Sequence, residues 1–141
     1  MKKVYDTINQ YCVEHELLTN GDGIVIGLSG GMDSVCLLQV LAALRNEWQL
    51  RLVCVHVHHG IRGTAADEDA AFAQRLAAKY NISFRLYEMD IPQLAKEQGL
   101  SEEEAGRNYR YRCFEEVRKE LNFDKIAVAH HRDDQAETVL W

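Results

Sequence analysis

Residues 24–28, Ile-Val-Ile-Gly-Leu, form an unbroken apolar stretch that runs straight into Ser29, Gly30 and Gly31. A strand with one wet face alternates polar and apolar side chains. A continuous apolar run marks a strand buried on both faces, which needs helices above and below a parallel sheet. The rest of the chain supplies the parts in alternation. Residues 34–48 read as a helix with Val35, Leu38, Leu41 and Ala42 inward, and residues 50–57 as a second strand rich in β-branched side chains. A loop over 58–63 leads to a helix over 64–80, whose acids Asp67, Glu68 and Asp69 suit the positive end of the helix dipole. Residues 83–89 read as a third strand and 92–98 as a short helix. Ser101 with Glu104 three residues on is a capping box, opening a helix to Leu121. Residues 125–129 are a fourth strand, and 130–141 enter a helix. An amphipathic helix is also expected over 1–18, with Val4, Ile8, Tyr11, Cys12 and Leu18 as its stripe. This order predicts an α/β fold: a doubly wound parallel sheet, Rossmann-like, in three α/β/α layers.

Bulk properties narrow the function. A chain of 141 residues suits one domain with a real core. The formal charge of −6 excludes a protein that coats nucleic acid by bulk charge, though not a local basic patch. Cys12, Cys36, Cys54 and Cys113 contain no CxxC pair, and Cys36 and Cys54 sit in apolar runs, as free thiols of a reducing compartment do. No signal peptide is visible, and no apolar run approaches the roughly 20 residues of a membrane span. A cytoplasmic protein is expected. The helix expected at the end finishes on Val139, Leu140 and Trp141 without a cap. That ending suggests that residues 1–141 are the N-terminal domain of a longer protein, and the apolar end offers a surface through which a homodimer could form.

The strand–loop–helix unit at 24–48 is an anion site by construction, because glycines let backbone N–H groups approach a ligand at a positive helix end. It is not a Walker A loop: counted from Gly27, the positions for glycine and lysine hold Met32 and Asp33. It is not the dinucleotide fingerprint either, since Gly21 and Gly23 precede the strand and the third position is Ile26. A glycine turn that merely packs a helix close to a strand is the bland alternative. The spelling SGGMDS at 29–34 resembles the SGGxDS loop of the N-type ATP pyrophosphatases, which split ATP between its α and β phosphates and form an adenylated intermediate. That resemblance implies a phosphate cradle of Ser29, Gly30, Gly31, Met32 and Ser34, with Asp33 helping to hold Mg2+. A carboxylate in place of lysine makes sense where a metal carries the counter-charge.

Three more segments carry chemistry. In VHVHHGIRG at 55–63, His56 and His58 point to one side of a strand, and His130-His131 strengthens a metal reading. No cysteine or carboxylate set at zinc spacing accompanies them. A hydrogen-bonded core histidine is the alternative for His56, while His58, His59 and Arg62 sit at the strand's C-terminal edge, where doubly wound folds bind ligands. In EEEAGRNYRYR at 102–112, Arg107, Arg110 and Tyr111 share a helix face with Glu103. That face is either a solvated charged surface or a phosphate or nucleic-acid contact. In AHHRDDQAET at 129–138, Asp134 and Glu137 stand three apart on the expected helix, as dipole-favoured acids or as a pair that binds a cation or ammonium group.

Taken in order, SGGMDS, HVHHGIRG, EEAGRNYRY and AHHRDDQAET resemble the catalytic domain of the tRNA(Ile)-lysidine synthases over most of residues 22–141. The departures are His58 where asparagine is common, Gly106 where alanine is common, and Arg132. The resemblance implies an adenine nucleotide alpha hydrolase-like fold and a two-step ligation. The O2 of the wobble cytidine of a tRNA(Ile) with a CAU anticodon attacks the α-phosphate of ATP, and pyrophosphate leaves. The ε-amine of free L-lysine then attacks C2 and AMP departs. It also implies roles: His130, Arg107 and Arg110 at the phosphate or adenylate, His56 and His58 on the nucleotide side, Arg62 and Tyr111 toward substrate, and Asp134 and Glu137 on the lysine ammonium. The alternatives are a related tRNA-thiolating enzyme, disfavoured where clustered cysteines are missing, and a non-catalytic ATP- or RNA-binding module.

Overall fold

The computed structural model describes residues 18–28, 32–60, 64–132 and 135–140. The helix expected over 1–18, together with Ser29, Gly30, Gly31, Arg62 and Asp134, lies outside them. The elements run β1 (Gly23–Gly27), α1 (Met32–Trp48), β2 (Arg51–His58), α2 (Thr64–Lys79), β3 (Ser83–Glu88), α3 (Ile91–Gln98), α4 (Glu102–Leu121), β4 (Lys125–Arg132) and β5 (Gln135–Leu140). They form a sheet of order β3-β2-β1-β4-β5. β1 pairs in parallel with β2 on one side and with β4 on the other, and β2 pairs in parallel with β3. The chain therefore winds outward through β2 and β3, then crosses back to lay β4 on the far side of β1. The β1/β4 boundary is the switch point where such sheets open a crevice.

The central strands β1 and β2 are dry on both faces, as the run at 24–28 requires. Ile24, Ile26, Leu52, Cys54 and Ala127 pack under Leu37, Leu38, Leu41 and Leu44 of α1 and Ala73 and Ala77 of α2. Val25, Val53, Val55, Ile126 and Val128 face the other way, onto Phe114 and Val117 of α4. The expected three layers result. Each of these large side chains contributes about 1.5–3 kcal/mol by leaving water. Cys54 is buried and Cys36 exposed. Burial pushes the Cys54 thiol up to about 12, so it packs as an inert apolar group.

Local chemistry sets the boundaries. Ser101 Oγ accepts from the Glu104 amide at 3.1 Å, and Asp90 Oδ1 accepts from the Gln93 amide at 3.1 Å. Gly99 and Asn122 close α3 and α4 in the left-handed region, with φ of 67° and 56°. At the N-terminal edge of the sheet, the buried Asp22 accepts from the Thr19 amide at 2.8 Å and from Lys125 Nζ. Asp124 accepts from the Gly23 amide at 2.8 Å and pairs with Arg51 at 3.4 Å. This clamp joins β2, β1 and β4 at their starts, which holds their opposite ends in fixed register. No helix among the described residues is long and apolar enough to cross a membrane.

One expected element is different. The segment from His130 is not a helix: β4 continues to Arg132, and Gln135–Leu140 folds back antiparallel along it. The physical reason is edge satisfaction. β4 offers an open row of N–H and C=O groups, and the β-branched pair Thr138-Val139 accepts a ladder more readily than a helical turn. Glu137, expected on a helix face, lies in this strand. Glu137 instead stands opposite His130 in the ladder.

Candidate functional site

The C-terminal edge of the sheet gathers the segments singled out in the sequence. β1 ends at Gly27, and the Leu28 amide continues its ladder to the Val55 carbonyl at 2.9 Å. The chain re-emerges as α1 with Met32 and Asp33 in the first turn and Ser34 buried behind them. A central strand end at Leu28 and a helix N-terminus at Met32 thus flank residues 29–31, and a helix N-terminus favours an anion.

Helix α4 sits against this edge because Gly27 has no side chain. A Cβ there would lie 2.6 Å from Phe114 Cζ and 2.9 Å from Val128 Cγ1. The Phe114 ring fills the space and meets Tyr111 edge-on, with centroids 6.1 Å apart and an interplanar angle of 83°. The Arg107 guanidinium lies over the Tyr111 ring at 5.7 Å. Arg110 is half-buried, and no hydrogen bond or ion pair joins it to a described residue. Burial pulls its pKa below the ordinary value and the neighbouring Arg107 adds to that, against Tyr111 and Glu103. Burying a cation is costly to the fold, and an anion bound beside it would relieve that cost.

The histidines divide sharply. His56 is buried, and its Nδ1–H donates to the Leu28 carbonyl at 2.7 Å, a tautomer assigned because a carbonyl only accepts. It holds the last residue before the glycine loop. His58 is also buried: its Nδ1 accepts from the Gly60 amide at 2.9 Å, so its Nε2–H donates to Asp67 Oδ1 at 2.8 Å. Both nitrogens of His58 are occupied by protein, so the alternation of His56 and His58 offers no metal site. Among the described residues no group of three or more His, Cys, Asp or Glu could hold a metal ion.

Burial lowers the His56 pKa below its ordinary 6.5, opposed by the hydrogen bond to Leu28. The sign of the consequence is fixed. The unfolded chain binds the proton more readily, so stability is fully present above the ordinary pKa and is lost as pH falls toward the folded one. Thermal melts should therefore be flat above about pH 7 and decline below about 6.5, with a shallower decline in His56→Gln. An equal decline in that variant would remove His56 from the account.

Of the expected site residues, the fold brings Ser34, Arg107, Arg110, Tyr111, His56 and His58 to one end of the sheet, with His130 and Glu137 register partners on β4 and β5. Two contacts were not legible in advance. His59, placed at the ligand-binding edge by its position just past β2, sets its ring against the backbone of Gly106, where an added Cβ would stand 3.2 Å from Cε1. Asp67 is the carboxylate that holds His58. The available signal was Gly106 itself, since a glycine inside a helical pattern usually marks a close approach.

Comparison with known proteins agrees with this geometry. The family model for the PP-loop domain matches residues 2–141. The chain is 48% identical over 140 residues to a tRNA(Ile)-lysidine synthase of Caldanaerobacter subterraneus subsp. tengcongensis, covering 99% of this chain and 29% of that protein. To a tRNA(Ile)-lysidine synthase of Clostridium tetani it is 41% identical over 137 residues, covering 97% and 28%. The chain thus spans less than a third of the length of these curated relatives. Among solved structures, a U34-tRNA thiolase from Methanococcus maripaludis with its 4Fe-4S cluster superposes with a TM-score of 0.70, at 22% identity, over 94% of this chain and 47% of that one. An NH3-dependent NAD synthetase from Campylobacter jejuni gives 0.63 at 19% identity, over 89% and 54%. At those identities the likeness is one of fold alone. With the family pattern matched over residues 2–141, the chain belongs to the ATP-using PP-loop domain family.

Proposed function

We propose that residues 1–141 are the ATP-pyrophosphatase domain of a tRNA(Ile)-lysidine synthase, joining free L-lysine to C2 of the wobble cytidine of a tRNA(Ile) with a CAU anticodon. The observation that carries this reading is the 48% identity over 140 residues to a protein of that name. It is supported by the convergence of Ser34, Arg107, Arg110 and Tyr111 at the switch point.

In this reading the amides and hydroxyls of residues 29–34, at the N-terminus of α1, hold the β and γ phosphates. Asp33, in the first turn of α1, suits Mg2+, which takes one or two carboxylates, keeps several waters and draws its other ligands from phosphate. When bound, the ion supplies counter-charge to the leaving pyrophosphate. Arg110 and Arg107 are poised for the charge that grows on the α-phosphate as cytidine O2 attacks, with His130 from β4 beside the adenylate. Tyr111 and Arg62 serve the RNA side. Asp134 and Glu137 select the lysine ammonium by charge and can take its proton. His56 and His58 act on the nucleotide side by holding backbone: His56 at Leu28, just before the loop, and His58 at Gly60 and Asp67 of α2.

The test is AMP and pyrophosphate formation by the protein that carries this chain, measured with ATP, lysine and a CAU-anticodon tRNA(Ile). Release of AMP should require both tRNA and lysine. Turnover that ignores lysine but needs a sulfur donor would move the protein to tRNA thiolation, and ATP binding without pyrophosphate release would make it a non-catalytic module. Within the reading, Asp134→Asn should raise the KM for lysine about 10- to 100-fold, the weight of a charge-assisted hydrogen bond, with ATP affinity unchanged. Equal loss of both would take Asp134 out of the lysine site.

A further inference from the structure

His59 stands apart from its two neighbours. Its backbone is held on both sides: the His58 and His59 carbonyls accept from the Met89 and Ile91 amides, each at 3.1 Å. Gly60 turns with φ +72° where a Cβ would strike the Met89 carbonyl at 2.7 Å. With the chain so fixed, the half-buried imidazole lies edge-on to Gly106, Cε1 and Nδ1 standing 3.2 and 3.7 Å from where a Cβ would be. Gly106 and Arg110 are four apart on α4, one turn along the same face. Neither ring nitrogen of His59 has a hydrogen-bond partner among the described residues. Its two strand neighbours show that this is not the rule here, since His56 and His58 both spend ring nitrogens on the protein.

We propose that His59 and Arg110 act together on the nucleotide, Arg110 by charge and His59 by a hydrogen bond from a ring positioned on Gly106, both directed at the phosphoryl oxygens of bound ATP. The proposal rests on the reading of the chain as an ATP-using domain and adds a binding residue to it. The chemistry is complementary. Two cations side by side would repel, whereas a neutral imidazole offers one donor and one acceptor next to a guanidinium without that cost. Burial first, then the charge of Arg110, keeps the His59 pKa below its ordinary value, so the ring is neutral at pH 7. Gly106 matters because it leaves room for the ring.

The experiment measures ATP affinity by calorimetry, and pyrophosphate release, for the wild-type protein and for His59→Ala, His59→Gln and Gly106→Ala, with a thermal melt of each. His59→Ala should weaken ATP binding or slow pyrophosphate release about tenfold, the weight of one hydrogen bond to a charged group. His59→Gln should recover most of the loss, because an amide also carries a donor and an acceptor. Gly106→Ala should melt higher through helix propensity yet lose about threefold in ATP affinity or rate, as the ring is pushed aside by a few tenths of an ångström. His59→Ala with wild-type affinity and rate overturns the proposal while leaving the ATP reading intact. So does a His59→Gln variant as weak as the alanine one with an equally lowered melting temperature, which marks a structural role. A wild-type protein that binds no ATP overturns both.

Discussion

Arg110→Met should lower the rate of pyrophosphate release at saturating ATP about 100- to 1,000-fold while leaving the melting temperature unchanged or raised. The two halves of this expectation have one cause. Arg110 is half-buried, without a hydrogen-bond or ion-pair partner among the described residues, and burial already depresses its pKa. Burial costs that charge more than Tyr111 and Glu103 return to it, so an apolar side chain of similar length relieves the fold. The same position offers the guanidinium to charge that develops at a phosphoryl group, where fixed donors in a dry site are worth most. Arg110→Lys discriminates further, since it keeps the charge but loses the planar fork and should recover only part of the rate. Steady-state assays alongside circular-dichroism melts decide the matter: activity lost only in proportion to a lowered melting temperature would reduce Arg110 to a scaffold residue.

Gly27→Ala should destabilise the domain by about 1–3 kcal/mol, roughly 3–9 °C in melting temperature. The new methyl group meets Phe114 from α4 and Val128 from β4 at once, at 2.6 and 2.9 Å. Neither can retreat, because both side chains are buried and β1 is hydrogen-bonded on both sides. Relief requires α4 to lift from the sheet, which carries Tyr111, Arg107 and Arg110 away from the loop. The variant should therefore lose ATP turnover even at temperatures where it is fully folded. Phe114→Leu in the Gly27→Ala background, which shortens the obstructing ring, should return part of both losses. A Gly27→Ala protein as stable and active as wild type would mean that α4 does not depend on this contact.

Much of the fold was legible because its signals are local. The run at 24–28 required a sheet covered on both faces, and Ser101 with Glu104 marked the start of α4 within one residue. The spelling of residues 29–34 pointed to the family that the chain belongs to. The segment after residue 130 was not legible in this way. Its acids at i and i+3 suit a helix, but the ladder offered by β4 competes for the same backbone groups and wins.

The histidines show where sequence reasoning runs out. His56, His58 and His59 lie within four residues, all at one strand end, and nothing in their spelling ranks them. Their fates depend on partners elsewhere in the chain: Leu28 for His56, Asp67 for His58, Gly106 of α4 for His59. By itself, the order of residues determined the alternating parallel architecture, the Ser101 cap and the family, because periodicity, capping and loop spelling act over a few positions along the chain. Only the tertiary structure decided that His56 is spent on Leu28 and His58 on Gly60 and Asp67, that His59 has no hydrogen-bond partner among the described residues, and that Gly27 is the seat of α4. Those outcomes depend on side chains brought together by the β3-β2-β1-β4 order across separations that no local pattern encodes, such as the 101 positions between Gly23 and Asp124.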